Sequence, residues 1–291
     1  MKIAVMASGS LGLIVLKRLL DSKYDIAAIL TDKGSSGIVE FIAESKIPGF
    51  IGNPRGGRAI SSLGHLSIDV ILSVNYLFLI EEDLIRWPKT VSVNLHGSLL
   101  PKYRGRTPHV WSIINGECET GVTAHKISLG CDEGDIIKQV TIPIEADDTG
   151  AIILNKYIDV YPSLVDNVLK DIESGAVSYT SQDESKATHF NKRTAESGRI
   201  NWNWQKERIR NWVRAQADPY PGAFTFLGEN KIIIDKVEYD DFGYHQDQPN
   251  GLILTMRPIR VKTPNGVLQI TSIRSGMESL TENSLFESYG D

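Results

Sequence analysis

Asn94 and His96 carry the chemistry most legible in this chain. They sit in Val91-Ser92-Val93-Asn94-Leu95-His96-Gly97, a short apolar alternation that predicts a strand. Residues two apart on a strand point to one face, so the amide and the imidazole should project side by side at the strand's carboxyl end. In open α/β sheets that edge is where ligands bind. An amide donor beside an imidazole suits acyl transfer. The amide can stabilise a developing oxyanion, and the imidazole can take a proton from an attacking amine.

Downstream, Gly130-Cys131-Asp132-Glu133-Gly134-Asp135 places three carboxylates in a loop between two β-rich segments. A carboxylate near His96 would raise the imidazole pKa and hold one tautomer. The spacing leaves Asp132 and Asp135 as open alternatives. Cys131 and Gly134 interrupt any calcium-ligand series, and no metal is expected.

Between strand and loop, Ser98 is followed by Lys102, Arg104 and Arg106, three cations within five residues. Such a basic loop could hold a phosphate or carboxylate. Near the N-terminus, Ala7-Ser8-Gly9-Ser10-Leu11-Gly12 with Asp32 nearly matches a dinucleotide fingerprint, with Ala7 in place of the first glycine. The amides at Ser8 and Gly9 could face an anion. This near-match makes an NAD(P)-dependent oxidoreductase the rival class, which leaves the Asn/His/carboxylate set unexplained.

The elements that must position these groups alternate. Apolar runs at Ile3–Ala7, Tyr24–Thr31, Ile68–Val74 and Val91–Leu95 predict strands, and Leu11–Leu20, Ile38–Glu44 and Glu81–Arg86 predict helices. Strands apolar on both faces argue for a parallel sheet covered on both sides, so the expected fold class is α/β, with a Rossmann-type N-terminal domain. Two β-rich segments follow within Thr120–Pro143, then a largely helical Thr149–Ser174 with Pro162 predicting a break or kink. The polar stretch near Ser181–Lys186 loses periodicity. The expected organisation is a catalytic domain over 1–185, a linker over 186–203 and a small OB-like β-barrel domain over 204–291. That last part holds a helix at Trp204–Ala215 and strands near Ala223–Phe226, Lys231–Asp235, Gly251–Thr255 and Val267–Ile270.

Totals narrow the class. A chain of 291 residues with net charge −5 is a poor prior for a nucleic-acid binder. Two cysteines, Cys118 and Cys131, make no disulfide framework and fit a reducing compartment. The N-terminal apolar run is broken early by Ser8, Gly9, Ser10 and Gly12, unlike a signal peptide or membrane span. A cytoplasmic protein without membrane partners is expected.

Asn94-Leu95-His96-Gly97-Ser98-Leu99-Leu100-Pro101-Lys102-Tyr103-Arg104-Gly105 resembles the signature of the folate-dependent formyltransferase family. So do Gly116-Glu117-Cys118-Glu119-Thr120-Gly121-Val122-Thr123 and Asp132-Glu133-Gly134-Asp135-Ile136. Lys192-Arg193-Thr194 and Pro219-Tyr220-Pro221-Gly222-Ala223-Phe224 extend the resemblance over essentially the whole chain. It implies Asn94 for the oxyanion, His96 for proton transfer and Asp132, rather than Asp135, as the catalytic carboxylate. It also implies 10-formyltetrahydrofolate as the formyl donor. The folate would lie along Asn75–Ile80, with Tyr76, Phe78, Leu79 and Ile80 sandwiching the pterin and Asp132 near the reacting end.

The acceptor follows from a second comparison of residues. Methionyl-tRNA formyltransferases usually carry a basic loop after the second strand, where this chain has Thr31-Asp32-Lys33-Gly34-Ser35-Ser36-Gly37. Arg104-Gly105-Arg106-Thr107-Pro108 is similar to sugar N-formyltransferases. The resemblance therefore implies a UDP- or dTDP-linked 4-amino-4,6-dideoxy sugar as acceptor, for surface-glycan (O-antigen) synthesis. Ser8, Gly9, Ser98, Lys102, Arg104 and Arg106 would contact it, the cations at its diphosphate. Methionyl-tRNA formylation is the alternative. The C-terminal domain could serve a homodimer, and Trp202, Trp204, Trp212 and Tyr220 could stack a nucleobase, although such aromatics are more often core.

Overall fold

β1 (Lys2–Ala7) is fully buried from Ile3 to Ala7, as an uninterrupted apolar run requires when both faces of a sheet are covered. A computed structural model describes residues 1–22 and 24–288. The last three residues of the expected C-terminal domain, 289–291, lie outside the described residues. In chain order the first elements are α1 (Gly9–Asp21), β2 (Asp25–Thr31), α2 (Ser36–Ser45), β3 (Gly49–Ile51), α3 (Arg58–Leu63), β4 (Val70–Val74) and α4 (Glu82–Ile85). Next come β5 (Val91–His96), β6 (Arg104–Gly105), α5 (Pro108–Ile114), β7 (Glu119–Lys126), β8 (Ile136–Pro143), α6 (Gly150–Glu173) and β9 (His189–Phe190). The chain continues through α7 (Lys206–Ala215), β10 (Ala223–Leu227), β11 (Asn230–Asp240), β12 (Ile253–Met256), β13 (Ile259–Thr263) and β14 (Gly266–Ser275).

Two compact units form. The first comprises Met1–Gly105, Thr120–Ile142 and Lys156–Phe190. Its sheet runs in the order β3-β2-β1-β4-β5-β7-β8. β1, β2, β3, β4 and β5 pair in parallel, and β7 joins β5 antiparallel. The order reverses between β1 and β4, so the carboxyl ends of β1, β4 and β5 face the place where such sheets bind ligands. α1 buries Leu11, Val15, Leu16 and Leu19, one stripe at helical spacing. This is the Rossmann-type architecture expected, with β3 and α3 as additions. β3 is three residues on the sheet edge, too short to show a period. Pro162 does not break the helix: α6 runs through it from Gly150 to Glu173.

The second unit comprises Arg106–Glu119, Pro143–Asn155 and Asn191–Asp291. Its antiparallel sheet has the order β10-β11-β14-β13-β12. Phe226 bridges to Glu287 and Leu252 to Leu285, so one late segment ties the two edges of the sheet together. Closure of this kind removes the exposed strand edges that invite aggregation. β13 was not expected: Ile259-Arg260-Val261-Lys262 alternates as a half-buried strand does, but the run is short and lies between Pro258 and Pro264. Residues 186–203, expected as a linker, are folded into the units. His189–Phe190 pairs with Arg104–Gly105 in the first, and Ile200 and Trp202 are core of the second. Among the described residues no helix is long and apolar enough to cross a membrane.

Candidate active site

β5 and β7 pair with Asn94 opposite His125 and His96 opposite Thr123. Directly opposed side chains on neighbouring strands lie within reach of one another, and Asn94 Nδ2 stands 3.1 Å from His125 Nε2. His125 Nδ1 lies 2.8 Å from the Lys126 carbonyl oxygen. A carbonyl can only accept, so Nδ1 carries the proton and Nε2 accepts from Asn94. That assignment turns the Asn94 amide so that its nitrogen faces the site. His125 is the member of the cluster that sequence reading missed. Its signal was slight, a histidine directly after the Val122-Thr123-Ala124 stretch, and the register that pairs it with Asn94 is a tertiary fact.

Asp132 joins the three. Its Oδ2 is 3.5 Å from His96 Nδ1, and its Oδ1 is 3.5 Å from Asn94 Nδ2 and 3.6 Å from His125 Nε2. The Gly105 amide donates to Oδ2 at 2.9 Å. His96 is buried, and its Nε2 donates to the Tyr103 carbonyl at 2.8 Å. The neutral ring therefore has its bare nitrogen, Nδ1, facing the Asp132 carboxylate, and a proton accepted there would sit between them. Burial pushes the His96 pKa down, partly opposed by the Asp132 charge and the Tyr103 carbonyl. Burial also opposes ionisation of Asp132, but His96, His125 and the Gly105 amide outweigh it and hold the carboxyl well below the usual range. Asp135 stands apart, with its carboxylate accepting from Ser181 Oγ at 3.1 Å.

Several other expected contact residues are occupied elsewhere. Arg104 was expected at a diphosphate, yet its side chain is 0% exposed and forms a forked ion pair with Glu184 at 2.6 and 2.9 Å. A guanidinium saturated in this way has no face for a substrate. Ser98 is buried, and its hydroxyl donates to the Lys102 carbonyl at 2.7 Å. Ser8 is buried, and the Gly9 amide donates to Ser35 Oγ at 2.8 Å. Ser35 in turn donates to the buried carboxylate of Asp32, which a phosphate would be repelled by. The same carboxylate cannot take the ribose role expected of a dinucleotide site. Lys102 and Arg106 are exposed, Arg106 in the second unit.

In the loop after β4, Leu79 is 50% exposed and Phe78 is half-buried, edge-on to Tyr76 at 5.6 Å. Ile80 is core, packed with Ile71 and Leu84, and cannot flank a pterin. Tyr76 also packs against that core, and burial raises its hydroxyl pKa, with the charge of Asp32 adding to it. In the second unit, Trp202 and Trp212 are buried, and Arg214 Nη1 donates to the Asp148 carbonyl at 2.6 Å. These groups hold the fold and offer no base-stacking face.

Known proteins resemble this chain in sequence pattern and in fold. The formyl transferase family pattern matches residues 1–169, and that of the formyl transferase C-terminal domain matches residues 192–290. The chain belongs to the formyl transferase family. Solved structures have the same fold. WlaRD, a sugar 3N-formyl transferase solved in the presence of dTDP and 5-N-formyl-THF, has a TM-score of 0.72 at 20% identity, covering 95% of this chain and 98% of that one. An N-formyltransferase from Helicobacter canadensis, in complex with folinic acid and dTDP-3-aminofucose, has a TM-score of 0.69 at 19% identity, covering 93% and 99%. Methionyl-tRNA formyltransferase from Clostridium thermocellum has a TM-score of 0.59 at 18% identity, covering 84% and 95%.

For this formyl transferase the geometry implies a pH signature. A neutral base at His96, whose pKa lies below the ordinary 6.5, predicts an acid limb of kcat below pH 6.5. Asp132→Asn removes the charge that raises the His96 pKa, so the limb should move to still lower pH while the plateau drops. A pH–rate profile over the acidic range checks both. A limb that moves upward in Asp132→Asn would contradict the assignment.

Proposed function

We propose that this chain transfers the formyl group of 10-formyltetrahydrofolate to the amine of a nucleotide-linked amino sugar, a UDP- or dTDP-4-amino-4,6-dideoxyhexose being the acceptor favoured. His96 Nδ1 takes the proton released as the amine nitrogen bonds to the formyl carbon, and Asp132 stabilises the imidazolium. Asn94 has one N–H on His125 and a second in only a long contact to Asp132. That second donor is the one a developing oxyanion can recruit. His96 then returns the proton to the folate nitrogen as its bond to the formyl carbon breaks. Phe78 and Leu79 offer the apolar surface of the loop after β4, and Lys102 is the exposed cation of the Ser98–Gly105 loop for a diphosphate. The product of such a reaction suits cytoplasmic supply of surface-glycan precursors.

The turn after β2 carries the choice of acceptor. Asp32 folds back to accept from the Gly34 amide at 2.8 Å and Ser35 Oγ at 2.5 Å. A segment closed on itself, with Lys33 as its one cation, presents no basic arm to tRNA phosphates, whose neutralisation supplies much of such affinity. The description of WlaRD as a sugar 3N-formyl transferase, the dTDP-3-aminofucose bound to the Helicobacter canadensis enzyme and the folates of both support a nucleotide-linked amino sugar as acceptor, although both names place the amine at C3 and not at C4. The test is a panel of dTDP-, UDP- and GDP-linked amino sugars with 10-formyltetrahydrofolate, read by mass spectrometry for a gain of one formyl group. Charged initiator tRNA is run in parallel. Faster formylation of the tRNA than of any sugar overturns the acceptor.

A further inference from the structure

Two non-glycine residues with left-handed backbone flank the catalytic pair. Asp132 has φ +58° and Tyr103 has φ +62°. Each such residue costs on the order of 1–3 kcal/mol and persists only where its surroundings hold it. Both matter to His96, since Tyr103 supplies the carbonyl on Nε2 and Asp132 the carboxylate beside Nδ1. Several of the groups that hold them come from one stretch, residues 180–190, which carries no motif and little periodicity.

Gln182 lies near the start of that stretch. Its Nε2 donates to the Asp132 carbonyl at 2.8 Å and to the Gly134 carbonyl at 2.7 Å. Its Oε1 accepts from Arg104 Nε at 3.2 Å and Nη2 at 2.8 Å. Every donor of the side-chain amide is used, and the partners leave no ambiguity about which end is nitrogen. Arg104 is an immovable partner, since it is wholly buried and paired with Glu184. Further along, Thr188 Oγ1 accepts from the Tyr103 amide at 2.8 Å, and Phe190 stacks on the Tyr103 ring at 5.0 Å. Gly105, whose amide binds Asp132, has φ +99° and lies so close to the Phe190 carbonyl that no Cβ would fit.

We propose that Gln182 is a positioning residue for formyl transfer, its amide clamping the Asp132 turn onto buried Arg104 and thereby setting where the carboxylate stands relative to His96. The proposal rests on the assignment of His96 and Asp132 as the transfer site. Gln182→Met keeps length and charge and removes the hydrogen bonds to both carbonyls and to Arg104. A displacement of about 1 Å at a reacting group can cost on the order of 10²-fold. In folded Gln182→Met, kcat should therefore fall roughly 10- to 100-fold, with KM for sugar and folate changed by less than about threefold.

A second readout needs no substrate. The titratable groups facing His96 are Asp132 from its loop and His125 from β7, and the Asp132 charge is also felt by Arg104 and Tyr161. Since the Asp132 charge, with the Tyr103 carbonyl, raises the His96 pKa, a displaced carboxylate lets the His96 titration move to lower pH, as followed by imidazole NMR in the ligand-free protein. A purely structural role lowers melting temperature without moving that titration. An unmoved titration in folded Gln182→Met overturns the proposal, and so does a kcat within threefold of wild type. If Gln182→Met does not fold, Gln182→Glu keeps the acceptor for Arg104, lacks both donors and is judged by the same kcat criterion. Wild-type protein that formylates no amino-sugar nucleotide would sink the acceptor reading while leaving the titration as a test of the clamp.

Discussion

His96→Ala is expected to lower kcat by about 10²–10⁴ while the protein keeps its fold, the range a positioned general base contributes. The ring is buried on β5 between a carbonyl that only Nε2–H can serve and a carboxylate that only a protonated Nδ1 can satisfy. No neighbour can take over the proton. His125 has its Nε2 committed to Asn94 and its Nδ1–H to the backbone, and Asp132 is held ionised with a pKa too low for a useful base. Truncation leaves Asp132 its bond from the Gly105 amide, so the turn is not orphaned. The residual rate should come from binding and from Asn94, and KM should change little because the imidazole acts on the reacting amine. Saturating steady-state kinetics, with a melting curve for each variant, measures it. Turnover within tenfold of wild type in folded His96→Ala would remove the base from the scheme.

Trp202→Ala should cost about 3–5 kcal/mol of unfolding free energy, as large-to-small changes at buried aromatics do. The indole is 0% exposed, stacks on Phe286 at 5.2 Å and 13°, and donates from Nε1 to Thr225 Oγ1 at 3.0 Å. Phe286 belongs to the same late segment that ties the sheet edges together, its amide donating to the Gly251 carbonyl at 3.0 Å. Removing the indole therefore opens a cavity and loosens the closure together. Trp202→Phe keeps an aromatic surface, leaves the Thr225 hydroxyl without that donor and should cost less. Urea unfolding followed by circular dichroism compares the two. A loss below about 1 kcal/mol for Trp202→Ala would show that the site collapses to fill the space, contrary to its packing.

Trp202 also marks where sequence reading ran out. Residues 186–203 looked like a linker because their polar, aperiodic composition matches one, yet the stretch contributes a β-ladder to one unit and core residues to the other. Composition reports average exposure, whereas Ile200 and Trp202 are buried one residue at a time. The basic loop misled for a similar reason. Lys102, Arg104 and Arg106 are alike as letters, and only packing separates a surface cation from one enclosed by Glu184 and Gln182.

Periodicity by itself determined that Asn94 and His96 share a face at the end of a strand, because a pleat of period two leaves no other arrangement. The alternation of apolar strands and helices likewise determined the covered parallel sheet. Only the tertiary structure decided the rest. Geometry places Asp132 rather than Asp135 against both side chains, His125 enters through the β5–β7 register, and Gln182 reaches the site from fifty residues downstream. Those contacts join positions far apart in the chain, and no local period or spacing encodes which distant donor will meet which acceptor.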